Sequence, residues 1–248
     1  MKFMGDYHMH TAYSDGRGTV EEMAAAARRR HLSAIGVAEH GPRSIGTGVK
    51  NEKSYLEIKA KLQALQPSFP DIHLLAGAEA NVINPGGMLD ITRDTIKRLD
   101  YLLVGLHPFV LPQGWKGWGW MLKNQAGKIF PSLDHRVRNA NTKALKEAIY
   151  SYDVWAVSHP GLGMPIEIAE LAKACQAKDT AWEINAGHCF PSCREVLEAA
   201  RYGVEFVVNS DAHFPETVGD LSYGSWVLEK AGVPAERVRN AKMRAFKE

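Results

Sequence analysis

Short apolar runs alternate with amphipathic stretches along this chain, and the alternation predicts parallel strands joined by helices. A first strand reads Phe3 to His10. Thr19-Val20-Glu21-Glu22 then has capping-box spacing, and the helix it starts runs to about Arg30. Ala34 to Ala38 forms a second strand. Tyr55, Ile58, Leu62 and Leu65 fall at helical spacing before the breakers Pro67 and Pro70, and Leu74 to Val82 makes a third strand. A short helix over Ile91 to Leu99 and a fourth strand from Tyr101 to Leu106 follow.

From Pro108 to Asp134 the pattern fails. Prolines, glycines and three tryptophans (Trp115, Trp118, Trp120) show no sustained apolar period, which predicts a long irregular connection: a lid, a stacking surface for an aromatic leaving group, a packed cover over the helices or a dimer contact. Regular structure resumes as a helix from Arg136 to Tyr150. Strands at Trp155 to Ser158, Ala181 to Asn185 and Glu205 to Asn209 are separated by helices near Ile166 to Cys175 and Cys193 to Arg201. Seven strands with intervening helices imply an α/β fold, an open or distorted barrel related to the eight-stranded kind. No linker, repeat or low-complexity tract divides the 248 residues, so a single domain spanning 1–248 is expected.

Composition narrows the function. Thirty Lys+Arg against 28 Asp+Glu is too balanced for a dedicated nucleic-acid or membrane surface, so the expected partner is a small molecule. Three cysteines (Cys175, Cys189, Cys193) offer no disulfide framework and fit a reducing compartment. With no signal-peptide pattern at the start and no uncharged apolar stretch of ~18 residues, the expectation is a cytoplasmic protein.

The chemistry lies at the strand ends. Asp6-Tyr7-His8-Met9-His10 places two imidazoles on one face of the first strand, because side chains alternate along a strand. Later strands end in Glu39-His40-Gly41, Gly77-Ala78-Glu79, Gly105-Leu106-His107, Ser158-His159-Pro160 and Asn209-Ser210-Asp211-Ala212-His213. Together with Asp15 these supply nine candidate metal ligands: His8, His10, Asp15, His40, Glu79, His107, His159, Asp211 and His213. One catalytic zinc takes about three protein ligands, so nine suit two or three ions, with Glu79 able to bridge a pair. Imidazole mixed with carboxylate favours Zn²⁺, Mn²⁺ or Fe²⁺ over Mg²⁺ and Ca²⁺.

The ordered set DYHMHTAYSDG (6–16), AEHG (38–41), GAEAN (77–81), GLHP (105–108), SHPG (158–161) and NSDAH (209–213) resembles the PHP family, named for polymerase and histidinol phosphatase. The resemblance implies a distorted (β/α)7 TIM-like barrel with a trinuclear centre that hydrolyses phosphoesters. It further implies one ion on His8, His10, Glu79 and Asp211, a second on Glu79, His107 and His159, and a third on Asp15, His40 and His213. The expected reaction is attack of a metal-activated hydroxide on a small phosphomonoester such as histidinol phosphate or a nucleotide, with Glu79, Asp211 and His213 as catalytic residues. A phosphodiesterase or exonuclease and a non-catalytic metal-bound scaffold are the rival readings.

Other residues are weighed by position. Arg43, directly after EHGP, is the first expectation for a phosphate-binding guanidinium, with Arg17 and Lys50 on connections at the same face. His188 could reach substrate, and the His188, Cys189, Cys193 cluster lacks a fourth ligand for a zinc site of its own. Glu183 and Asn185 read as polar core residues supporting the ligands. His31, His73 and His135 lack strand-end placement and are excluded.

Overall fold

The computed structural model describes residues 1–241, so the last seven positions of the expected single domain lie outside the described residues. Seven parallel strands run in sequence order: β1 (Gly5–Asp6), β2 (Ala34–His40), β3 (His73–Asn81), β4 (Leu103–Gly105), β5 (Ala156–Val157), β6 (Ala181–Asn185) and β7 (Phe206–Asn209). The sheet curls into a nearly closed (β/α)7 barrel. Strands β2 to β4, β6 and β7 are apolar and buried along most of their length, as parallel strands covered on both faces must be.

The first strand is shorter than its expected Phe3–His10 span. Beyond Asp6 the chain keeps a bond to β2, with Ala38 N–H donating to Met9 O at 3.0 Å, and also reaches the segment after β7, where His10 N–H donates to Ala212 O at 2.8 Å and Ala212 N–H to His8 O at 3.3 Å. That single bridge is what closes β1 against β7 at the mouth. At the other end Asn240 joins the same two strands, its Nδ2 donating to Gly5 O at 2.8 Å and its Oδ1 accepting from Val208 N–H at 3.1 Å.

Tyr7, Tyr101 and Trp155 meet edge to face with centroids 5.1 to 6.2 Å apart. They lie just after β1 and just before β4 and β5, so their contact crosses the barrel interior and fills it with side chains beneath the mouth. Space for Tyr101 requires glycine at Gly36 and Gly77, where a Cβ would fall 2.1 Å from its hydroxyl and 2.3 Å from its ring, respectively.

Helices cover the outside. α1 (Val20–Arg29) opens with the expected capping box between Thr19 and Glu22, and buries Met23, Ala24 and Ala27 against the sheet. α2 (Lys53–Leu65) buries Tyr55, Ile58 and Leu62, and α3 (Arg93–Ile96) is a single turn.

The 108–134 stretch corrects the expectation of irregular chain: it contains α4 (Gly114–Ile129), a full helix. Its buried face is Gly117, Trp120, Met121 and Asn124, which does recur at i, i+3, i+4 and i+7. Half of that face is glycine or asparagine, so an apolar count misses it. Trp120 Nε1 donates to Asn141 Oδ1 at 2.8 Å, and Asn124 and Asn141 exchange amide hydrogen bonds at 3.0 and 2.8 Å. Asn141 lies on α5 (Asp134–Ser151), which starts two residues before the expected Arg136. α6 (Ile168–Ala177) and α7 (Cys193–Ala200) sit close to their expected positions, and α8 (Ser222–Lys230) completes the ring. Among the described residues no helix is long and apolar enough to cross a membrane.

Candidate metal centre

All nine strand-end residues converge at the C-terminal mouth of the barrel. Glu79, at the end of β3, is fully buried in the middle: its Oε2 lies 2.6 Å from His40 Nδ1 and 3.4 Å from His8 Nε2, while its Oε1 lies 2.8 Å from His159 Nε2 and 3.2 Å from His107 Nε2. Asp211 Oδ1 lies 3.0 Å from His10 Nε2 and 3.5 Å from His8 Nε2. Asp15 completes the outer edge, 3.4 Å from His213 Nε2 and 3.8 Å from His40 Nε2. His159 and Asp211 hold left-handed φ angles of 26° and 53°, a strain that side chains aimed at a shared point can impose.

Three groups have ligand atoms within 4.8 Å of one another: His8, His10 and Asp211; His40, Glu79 and His107; and His10, Asp15, His40 and His213. These overlap the expected partition but differ from it: Glu79 is absent from the first group, His40 takes the place of His159 beside Glu79 and His107, His10 joins the outer group, and His159 falls in none of the three, although its Nε2 lies 2.8 Å from Glu79 Oε1. His31, His73 and His135 stay outside the cluster. His188, Cys189 and Cys193 form no metal-holding group among the described residues.

The test of fit is where the imidazole protons sit. His8 Nδ1 is 2.7 Å from Glu183 Oε1, His107 Nδ1 is 2.7 Å from Asn81 Oδ1, and His213 Nδ1 is 2.8 Å from the Asp211 carbonyl. Carboxylate and carbonyl oxygens only accept, so each Nδ1 carries a proton and Nε2 is the atom each ring turns toward the centre, a lone pair whenever the imidazole is neutral. The Asn81 amide cannot be reversed, because its Nδ2 donates to Asp90 Oδ2 at 2.6 Å. Eight of the ten buried polar atoms without a hydrogen-bond partner among the described residues belong to this cluster, on His8, His10, His40, Glu79, His159 and Asp211. Lone pairs and carboxylates left facing one another without a proton are a donor set for cations.

The electrostatics agree. Burial pushes Glu79 and Asp211 toward neutrality, yet the surrounding imidazoles hold both carboxyls well below the usual range. His8 is drawn the other way: burial lowers its proton affinity, but Glu183, Asp211 and Glu79 raise it well above the ordinary value. His10, buried and beside His40, is lowered to about 3 and is neutral at any working pH. A divalent cation would meet the same demand that now draws a proton onto His8.

Outer residues fix the side chains of the cluster in place. Glu183, on β6, holds His8 with Oε1 and the His159 backbone N–H with Oε2 at 2.7 Å, and accepts from Asn209 Nδ2 at 2.8 Å. Asn185 Nδ2 donates to Asp211 Oδ2 at 2.9 Å. The supporting role expected for Glu183 and Asn185 matches these contacts. Sequence reasoning missed Glu39, Asn81 and Asp90. Glu39 accepts from Thr11 N–H at 3.0 Å and from the Thr11 and Ser14 hydroxyls, which shapes the loop carrying Asp15, and burial raises its carboxyl to about 7. A glutamate inside the apolar run of β2 was the available signal.

Above the cluster opens a cleft of about 790 Å³, lined by six of the nine together with Arg17 and His188. His188 Nε2 lies 3.4 Å from Asp211 Oδ2. Arg43 and Lys50 do not line it. The Arg43 guanidinium instead donates to Leu111 O at 2.7 Å and Pro112 O at 3.1 Å, and Lys50 is exposed. None of the three tryptophans borders the cleft.

Comparison with known proteins gives this site its relatives. The chain is 26% identical over 258 residues to a probable phosphatase of Acetivibrio thermocellus, covering 100% of this chain and 95% of the relative. It is 28% identical to a probable phosphatase of Shewanella sediminis, covering 97% and 90%. It is also 25% identical to the DNA polymerase/3'-5' exonuclease PolX of Bacillus subtilis, where 96% of this chain matches 39% of the longer protein. The solved histidinol phosphate phosphatase of Lactococcus lactis, complexed with zinc, L-histidinol and phosphate, shares the fold with a TM-score of 0.61 at 15% identity over 92% of this chain and 94% of that one. The PHP domain model matches residues 6–210, and the chain belongs to the PHP family.

Proposed function

We propose that the protein is a metal-dependent phosphatase acting on a small phosphomonoester, with residues 1–248 working as one catalytic domain. The observation that carries this reading is the array of Nε2 atoms that His8 and His107 turn toward the buried carboxylates Glu79 and Asp211, with the His213 Nε2 facing Asp15. Such a donor set fits two or three Zn²⁺, Mn²⁺ or Fe²⁺ ions. His8, His10, Glu79 and Asp211 would hold one, Glu79, His107 and His159 a second, and Asp15, His40 and His213 a third. When bound, such ions lower the pKa of water towards ~7 and neutralise phosphate charge.

The chain's own residues do the rest. Glu79 spans the centre, its two oxygens serving different imidazoles, and so fixes the spacing between the two inner sites. Asp211 orients His10 through Oδ1 and, through its carbonyl, holds the His213 ring so that Nε2 points toward Asp15. Arg17 and His188 border the cleft and would take the phosphate oxygens that project from its floor. Free cysteines at 175, 189 and 193 suit a cytoplasmic setting.

The PolX relative favours one rival, cleavage of oligonucleotides. Phosphate release from a panel of phosphometabolites and single-stranded oligonucleotides, with Mn²⁺, Zn²⁺ or Fe²⁺ and with chelator, separates the two. Monoester turnover abolished by chelator is expected. Cleavage of oligonucleotides alone overturns the phosphatase reading, and inactivity of fully loaded protein favours a scaffold.

A further inference from the structure

The cleft is divided by the strand order of the barrel. Loops after β2, β4 and β5 contribute Ile45, Phe109 and Leu162, whereas those after β6, β7 and β1 contribute His188, Thr217 and Arg17, with Phe214 the one apolar aromatic among the described residues on that side. The apolar arc is built rather than incidental. Ser44 and Val110 form an antiparallel bridge, Ile45 N–H donates to Phe109 O at 2.9 Å, and the Arg43 guanidinium ties the same segment at Leu111 and Pro112. Yet the side chains so fixed face open space, with Ile45 56% and Phe109 70% exposed, and Phe214 at the same cleft 50% exposed. Rigidly held apolar groups left in water beside a charged centre mark a surface for the uncharged half of a ligand.

The charges around the cleft exclude the alternatives. Among its described lining residues Arg17 is the one Lys or Arg, too few cations for a second phosphate or a nucleic-acid backbone. Asp15 and Asp211 are its carboxylates, and both belong to the metal cluster, so an ammonium group on the substrate would find no counter-ion of its own. Exposed phenylalanine rings, by contrast, gain most from another ring.

Resting on the phosphatase reading, we propose that the substrate is a phosphomonoester whose alcohol half is an uncharged aromatic group, seated against the arc of Ile45, Phe109 and Leu162. Its phosphate faces the metal cluster and Arg17. Arg43 is a positioning residue in this arrangement, holding the wall to which the ring docks.

Alkyl phosphates of similar leaving-group basicity isolate the effect from chemistry. With metal-loaded protein, kcat/KM for 2-phenylethyl phosphate should exceed that for glycerol 1-phosphate and for 2-aminoethyl phosphate by about tenfold or more. The Phe109→Ala variant should bring that ratio to about two or less, while Trp118→Ala, away from the cleft, leaves it unchanged. Calorimetry with 2-phenylethylphosphonate should show the same loss of affinity in Phe109→Ala without any turnover. Equal or better use of the glycerol or aminoethyl ester overturns the aromatic assignment alone. Failure to hydrolyse any of the three overturns it together with the phosphatase reading.

Discussion

Glu183 and His8 are joined by a 2.7 Å hydrogen bond between fully buried side chains, and the other Glu183 oxygen takes the His159 N–H at the same distance. One carboxylate on β6 therefore fixes a proton on His8 Nδ1, just after β1, and the backbone position of His159, after β5. Removing its charge while keeping its shape should loosen both. Glu183→Gln is expected to lower metal affinity about 10- to 100-fold, read by competition with a fluorescent chelator, with the circular dichroism spectrum retained. Unchanged affinity would show that the outer carboxylate does not govern the site.

Arg43 divides two roles cleanly. Its guanidinium donates to the Leu111 and Pro112 carbonyls, so Arg43→Ala should cost about 1–3 kcal/mol of stability, seen as a lower urea midpoint. If that is its whole role, KM for phosphate esters without an apolar half, such as glycerol 1-phosphate, should change less than about twofold. A tenfold rise in that KM, with no loss of stability, would mean that the side chain reaches phosphate.

Cysteine chemistry tests the packing independently of the site. Cys175 is buried in α6 and burial pushes its thiol up to about 12, so at pH 8 its thiolate fraction is negligible. Cys189 is exposed. Iodoacetamide at pH 8 should label Cys189 within minutes and leave Cys175 unmodified until denaturant is added, as mass mapping will show. Labelling of Cys175 in native protein would contradict its burial.

The strand ends were the legible part of this molecule. His8 and His10 could be read from alternation, and the remaining ligands from their place after apolar runs, because a parallel barrel puts every strand's C-terminal end at one mouth. The third dimension decided the rest. Asp90 looks like an ordinary carboxylate in the chain, and only the return of the 11–15 loop and of the 81–90 segment brings Glu39 and Asp90 under Thr11 and Asn81. Arg43 was misjudged in orientation, since nothing local shows that residues 109–112 come back to receive it. α4 was hidden because its core face uses Gly117 and Asn124, which close approach to Ile83 O and the Asn141 amide require and which hydrophobic counting ignores.

The central claim is that Glu79, touched by four imidazoles, belongs to a shared cation site. The most direct measurement is metal content by inductively coupled plasma mass spectrometry on purified wild type and Glu79→Gln, alongside phosphate release. Two to three equivalents of Zn, Mn or Fe in the wild type, with at least one equivalent and all turnover lost in the folded variant, is the result expected here. A Glu79→Gln protein that keeps its full metal content and its rate would contradict it.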